Sequence, residues 1–333
     1  MRVILSFIYS LAIPSPGFTG LLKLRTRLFG HLRQRLLSLK MLKDAPVSMR
    51  AHGETLSMPL AHNLPLILAD RPLYDSVLKR VARYLRQRDG FVSLVDVGAN
   101  IGDTVTACSL ESSDTALCIE PNVEYWPHLQ QNLQASKCRA VTAQSLVGAK
   151  DGVLTASALT SQGTARYILG ETGERIPVRS IPSLMAEMGL DSCNFLKIDT
   201  DGHDFECLRG AKSLLKKSMP IVLFEADIFV NTKYHQELLD AVSMLVVTGY
   251  KVFVVYTNDG CFFSFYTSNN IRQLYNAVLY QAFGNKTYYD ILALSDDTFL
   301  REELLYFVSA TKDPVRSKIA HNVATMMSES AAL

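Results

Sequence analysis

The sequence predicts an α/β protein built on a mostly parallel sheet with helices on both faces. Two observations carry this expectation. Short β-rich runs alternate with helix-length segments from residue 91 to 294, the rhythm of parallel strands joined by crossover helices. Hydrophobic residues make up 48% of the 333 and charged residues 20%, which suits a globular chain and excludes a disordered or collagen-like one.

The first element is the segment from Gly20 to Lys43. Leu21, Leu24, Leu28, Leu32, Leu36 and Leu39 recur at spacings of three and four, one face of a helix, and Lys and Arg fill much of the remainder. Such a basic amphipathic helix either packs on the main domain or lies against an anionic membrane surface or partner. It also resolves the charge balance. The net charge of +2 hides eight basic residues and no acid in residues 1–43, against 26 basic and 32 acidic residues in the rest. Upstream, the apolar stretch Val3–Ile13 is too short to span a bilayer and no clear small-x-small cleavage site follows it. The expected location is cytoplasmic, with peripheral contact to an anionic membrane through residues 20–43.

A mixed stretch containing Pro46, Pro59, Pro65 and Pro72 comes next. Phe91–Val97 reads as a strand ended by Gly98, and residues 103–110 as a helix. Ala116–Ile119 is a second strand, ended by Glu120-Pro121-Asn122, followed by a helix over Val123–Ala135 and a strand over Arg139–Leu146. The segment from Asp151 to Pro182, with several Gly and Thr residues in short alternations, reads as hairpins. Phe195–Asp199 is a strand, Phe205–Leu215 a helix, Ile221–Ala226 a strand, and Tyr234–Thr248 a helix closed by Gly249. Lys251–Tyr256 pairs with Cys261–Tyr266 across the turn Asn258-Asp259-Gly260, and Tyr289–Leu294 is the last strand. The six cysteines are scattered without a C-x-x-C pair, which points to reduced thiols rather than a zinc site or a disulfide framework.

Ligands of open α/β sheets sit at the carboxyl ends of the strands, so the residues after each strand matter most. The first strand runs into Asp96-Val97-Gly98-Ala99-Asn100-Ile101-Gly102-Asp103. Gly98 and Gly102 let the backbone turn tightly and approach a ligand, and the next helix offers free N–H groups. Glu120, after the second strand, can accept two hydrogen bonds from a ribose diol. A dinucleotide fingerprint from Gly98 would need glycine at 100 and 103, where Asn100 and Asp103 stand instead. Acidic residues suit S-adenosylmethionine, which has a sulfonium cation and no phosphate. Read alone, this loop is also an ordinary strand–turn–helix connection; Glu120 at its distance strengthens the nucleotide reading.

The ordered combination VDVGANIGD at 95–103, IEPN at 119–122 and LKIDTDGHDFECLRGA at 196–211, with PIVLFEAD at 220–227 and YDILALSDD at 289–297, resembles the FkbM-type family of S-adenosylmethionine-dependent methyltransferases. The resemblance covers roughly residues 76–300. It implies a class I methyltransferase fold with a Rossmann-like, seven-stranded sheet, S-adenosyl-L-methionine as cofactor, and O-methylation of a hydroxyl on a sugar, glycolipid or natural product. Residues 1–75 are then an N-terminal extension with a helical arm, and 301–333 a C-terminal tail. Thr200, Asp201 and His203 depart from the commoner family wording. Asp96, Gly98, Asn100, Gly102 and Glu120 are the expected cofactor-binding residues.

An alcohol is a weak nucleophile, so a positioned base is expected to help by roughly 10²–10⁴-fold. His203 is the first candidate, with Asp199 and Asp201 as alternatives; Asp201 and Asp204 also have the spacing of residues that cap a helix. Glu225, at the end of a later strand, faces the same cleft as an acceptor-site candidate, and residues 144–147 can reach an adenine. Tyr125 and Trp126 read as packing. No metal site is expected, since Asp199 and Asp201 lack a third ligand. A small-molecule or glycan acceptor is expected, and no nucleic acid. Competing classes are a nicotinamide-dependent oxidoreductase and a non-catalytic, membrane-associated module.

Overall fold

The computed structural model describes residues 44–310 except 162, 231 and 284–287, together with 315, 317–322 and 325. The basic amphipathic segment 20–43 lies outside the described residues.

In chain order the elements are β1 (Pro46–Ala51), β2 (Glu54–Pro59), α1 (Leu64–Asp70), α2 (Ser76–Asp89), β3 (Ser93–Val97), α3 (Asp103–Ala107), β4 (Thr115–Ile119), α4 (Trp126–Ala135), β5 (Arg139–Ala143) and β6 (Leu146–Val147). Then come β7 (Gly152–Ser161), β8 (Thr164–Leu169), β9 (Glu174–Arg179), α5 (Ile181–Glu187), β10 (Phe195–Ile198), α6 (Asp204–Gly210), α7 (Lys212–Ser218) and β11 (Ile221–Ala226). The described elements end with α8 (Tyr234–Thr248), β12 (Val252–Thr257), β13 (Phe262–Thr267), α9 (Leu274–Phe283), β14 (Tyr289–Leu294) and α10 (Thr298–Ala310).

The central sheet has eight strands in the order β13-β12-β14-β11-β10-β3-β4-β5. β11, β10, β3, β4 and β5 are parallel neighbours, whereas β14 runs antiparallel to both β11 and β12. The order reverses between β3 and β10, which places the ligand crevice over their carboxyl ends. The sheet is therefore mixed, one strand wider than expected because β13 extends it as the outer half of a hairpin with β12.

Near-continuous apolar strands bury both faces, as a two-sided sheet requires. Val95, Val97, Leu196 and Ile198 pack under α5 to α9; Leu94, Phe195 and Val254 pack under α2, α3, α4 and α10. On the second side a buried ion pair joins two helices: Arg80 on α2 donates to both oxygens of Glu303 on α10 at 2.7 and 2.6 Å, and Tyr256 donates to the same carboxylate at 2.8 Å.

Three local departures from the sequence reading have physical causes. The expected helix 205–215 breaks into α6 and α7 at Gly210, whose Cα lies against the carbonyl of Gly148, leaving no room for a Cβ. The expected strand 139–146 stops at Ala143, and β6 joins a second sheet with β9, β7 and β8. The proline-containing stretch is ordered: β1 and β2 form a hairpin, with Asn132 of α4 donating to Ser57 O and Ile101 O at 2.8 Å. Among the described residues no helix is long and apolar enough to cross a membrane.

Candidate active site

A cavity of about 220 Å³ opens at the carboxyl ends of β3, β4 and β10. Gly98, Asn100 and Glu120 line it, as do Asp199, Asp201 and His203. These six sequence-nominated residues come from three separate loops, and the sheet brings them together. Asp96 and Gly102 are not among its lining residues.

Glu120 is built into its position. Buried at the end of β4, it accepts from the backbone N–H of Asn100 at 2.9 Å and of Asn122 at 2.8 Å, one to each oxygen. The loop after β3 and the loop after β4 are thereby clamped on one carboxylate, leaving lone pairs for a ligand. Burial pushes its pKa up to about 7, against the lowering effect of those two backbone hydrogen bonds. Trp126 donates its indole N–H to the Glu120 carbonyl at 2.9 Å, so it packs and braces the loop.

Asn100 holds a left-handed conformation at φ 49°, which Asn tolerates better than most residues. Its side chain donates to Gly163 O at 2.5 Å, and its Oδ1 lies 3.2 Å from His62 Nε2. His62 Nδ1 accepts from the Leu64 N–H at 3.2 Å, so Nε2 carries the proton toward Asn100. The β7–β8 turn thus roofs the cavity, and Tyr125 ties it down from below by donating to Thr164 O at 3.2 Å.

Asp96 lies fully buried behind the wall rather than in it. On the neighbouring strand, in register, Lys197 places its Nζ 3.5 Å from Asp96 Oδ1 and 3.2 Å from Asp199 Oδ2. Burial pushes Asp96 up to about 6, with Lys197 opposing. For Lys197 burial acts downward, but Asp199, Asp96, Asp75 and Asp103 outweigh it and hold the ammonium well above its ordinary range. Gly102 caps α3 at φ 84° and shapes the loop without reaching the cavity.

The loop after β10 is organised by Asp204, which is fully buried and accepts from the N–H groups of Thr200 and Gly202 at 3.2 and 3.3 Å and from Tyr234 Oη at 2.9 Å. This turn fixes Asp201 at φ 52° and presents His203. His203 Nε2 lies 3.0 Å from Tyr167 O; a carbonyl only accepts, so Nε2 carries the proton and Nδ1 has the free lone pair. Asp201 is raised to about 6, chiefly by burial and then by Asp199.

On the far wall, Glu225 of β11 and Asp290 of β14 stand opposite each other in register. Both line the cavity, and burial followed by neighbouring carboxylates raises both well above their ordinary range. Asp75 and Asp103, at the starts of α2 and α3, complete an acidic lining. Among the described residues no group of three His, Cys, Asp or Glu side chains is arranged to hold a metal ion.

The sequence reading missed Lys197, Asp75 and Asp290. Lys197 sits inside the 196–211 block, and a lysine in an otherwise apolar strand, two residues before Asp199, was the available signal. Asp75 and Asp290 gave none, because only the fold carries them to the strand ends.

Residues 96–252 match the family model described as the methyltransferase FkbM domain. A curated relative, the hexuronic acid methyltransferase AglP of Haloferax volcanii, is 26% identical over 148 residues, which is 44% of this chain and 60% of AglP. The match therefore spans about three-fifths of that relative's length. Among solved structures, a methyltransferase FkbM from Methylobacillus flagellatus superposes with a TM-score of 0.39 at 18% identity, over 62% of this chain and 58% of that one. A precorrin-6y C5,15-methyltransferase from Geobacter metallireducens gives 0.36 at 16% identity, over 67% and 87%. The sequence match runs through the loops after β3, β4 and β10, which carry Gly98, Glu120 and Asp199 to the cavity. Over residues 96–252 the chain is therefore similar to the methyltransferase FkbM domain.

Proposed function

We propose that this protein transfers the methyl group of S-adenosylmethionine to a hydroxyl of a sugar or sugar-bearing acceptor. The observation that carries the reading is Glu120, clamped by two backbone N–H groups and facing a cavity within the region similar to the methyltransferase FkbM domain. The lining fits the cofactor: Glu120 suits a ribose diol, and Asp103 and Asp199 suit a sulfonium or ammonium cation. Asp103 opposes a diphosphate by like charge, and nothing in the family match favours a nicotinamide cofactor.

Bound there, S-adenosylmethionine supplies an electrophilic methyl group. Gly98 and Asn100 would let the backbone approach the ligand closely, and Glu120 would hold its ribose. His203 Nδ1, or Asp199 or Asp201 on the same wall, would take the proton of the acceptor hydroxyl as its oxygen bonds the methyl carbon and the carbon–sulfur bond breaks with its electron pair left on sulfur. Holding both reactants in line contributes on the order of 7–11 kcal/mol. The similarity to AglP supports a carbohydrate acceptor. The segment 20–43 is the element to hold the enzyme at an anionic membrane surface; unchanged liposome binding at low salt after its deletion rejects that role.

Calorimetric titration with S-adenosylhomocysteine tests the central reading. Binding that weakens in Glu120→Ala is the expected outcome, and the absence of heat with the unmodified protein overturns it.

A further inference from the structure

A second groove, of about 1000 Å³, lies between the β1–β2 hairpin and the outer face of α2, and it shares Tyr74 and Asp75 with the reaction cavity. Its charge is opposite in sign. Arg50 enters at the end of β1, His52 from the hairpin turn, and Lys79 and Arg83 from consecutive turns of α2. Two other arginines of the groove are already committed, Arg80 to Glu303 at 2.6 Å and Arg86 to Asp114 at 2.9 Å. Arg50, Lys79 and Arg83 are exposed, and their side chains make no ion pair or hydrogen bond among the described residues.

We infer that this groove binds an anionic substituent, a phosphate or a carboxylate, carried by the methyl acceptor at a distance from the hydroxyl that reacts. The inference rests on the methyltransferase reading and names the class of its substrate. The reaction cavity disfavours a second anion, brought by the acceptor, beside its acidic side chains. Its lining is carboxylates with one lysine, and that lysine is held by Asp96 and Asp199. An uncharged hydroxyl can enter it without charge repulsion. An acidic acceptor therefore has one arrangement that satisfies both surfaces: hydroxyl into the acidic cavity, anion across the Tyr74–Asp75 wall onto Arg50, Lys79 and Arg83. Residues 1–43 carry eight cations and no acid, so their charge does not favour them as the groove's occupant. Opposite potentials side by side also fix the acceptor's orientation, since reversing it places the anion among the cavity's carboxylates and leaves the groove's cations without a partner.

The test uses the full chain and the double variant Lys79→Glu/Arg83→Glu, both at exposed positions outside the reaction cavity. Inorganic phosphate, glucuronate, glucose 1-phosphate and glucose are titrated separately, with S-adenosylhomocysteine as the control. The expected result is that phosphate binds the unmodified protein and that the double variant weakens it about tenfold or more, with S-adenosylhomocysteine affinity unchanged. Tighter binding of glucose 1-phosphate or of glucuronate than of glucose then identifies the substituent as phosphate or carboxylate. No phosphate binding, equal phosphate affinity in both proteins, or glucose binding as tightly as the charged sugars overturns the inference. Failure of S-adenosylhomocysteine to bind the unmodified protein instead overturns the methyltransferase reading, so the two failures are distinct.

Discussion

Lys197 and Asp96 face each other in register on adjacent parallel strands, with the ammonium 3.5 Å from the carboxylate and both side chains almost wholly buried. The pair ties β10 to β3 directly beneath the cavity floor, and Asp199, 3.2 Å from the same ammonium, carries its charge to the cavity. Removing one partner of a buried pair leaves an uncompensated charge, which costs about 3–5 kcal/mol. Lys197→Met is expected to lower unfolding stability by that order in urea denaturation. Asp96→Asn/Lys197→Met is expected to recover much of it, and a double variant as unstable as the sum of its parts would deny the coupling.

The clamp on Glu120 yields a prediction for binding. Glu120→Ala removes a charged acceptor and is expected to weaken S-adenosylhomocysteine by about 1–3 kcal/mol. With the carboxyl raised to about 7, its ionised fraction grows from pH 6 to 8. Affinity for the cofactor is therefore expected to rise over that interval in the unmodified protein and to rise less in Glu120→Gln, as calorimetry at three pH values will show.

Much of this arrangement was legible in the sequence. The strand ends around Gly98, Glu120 and Asp199 could be read because β3, β4 and β10 are buried on both faces, so their apolar runs stand out and the residues after them announce the crevice. Asp96 was nominated as a cofactor contact and is not among the cavity's lining residues: it is fully buried on the face of β3 that carries Leu94, beneath α2 and α3. His203 was nominated, but its anchor on Tyr167 O was invisible, because the β7–β8 hairpin reaches over the site from 36 residues away. The ordered β1–β2 hairpin was hidden by its prolines, which fall at its two ends in register rather than within its ladder.

The acidic lining makes stability depend on pH in an unusual direction. Burial raises Asp75, Glu120 and Asp204 to about 7 and Asp96 and Asp201 to about 6. Their folded pKa values exceed the unfolded ones, so between about pH 4 and 7 the native state binds more protons than the unfolded chain. The stability they contribute is full below about pH 4 and is lost as pH rises through 6 to 7. Glu225 and Asp290, raised further, add to this trend, and His52, lowered chiefly by burial, acts in the opposite sense. Thermal unfolding of the ligand-free protein is expected at a lower temperature at pH 8 than at pH 5. A midpoint that rises over this range would contradict the assigned shifts.

With Nε2 held by Tyr167 O, only Nδ1 of His203 is free to accept a proton. His203→Gln keeps an amide donor for that carbonyl and removes the base. Turnover is expected to fall by roughly 10²–10⁴-fold with S-adenosylhomocysteine affinity unchanged. A fall of less than about tenfold would move the role to Asp199 or Asp201, to be separated by Asp199→Asn and Asp201→Asn.

Gly98 is where the loops after β3 and β10 touch. It sits at φ 81°, and a Cβ built there would lie 1.8 Å from the carbonyl oxygen of Asp199. Gly98→Ala therefore meets both a backbone conformation that side chains disfavour and a backbone atom that cannot swing aside. Strain of this kind costs on the order of 1–3 kcal/mol even before the clash is relieved. Relief requires the 199–203 loop to retreat, carrying Asp199, Asp201 and His203 away from Glu120. The expected outcome is lowered stability together with a loss of turnover larger than the loss of cofactor affinity, since Glu120 stays clamped by Asn122. A variant whose turnover and affinity fall in equal measure would show that the two loops do not move independently.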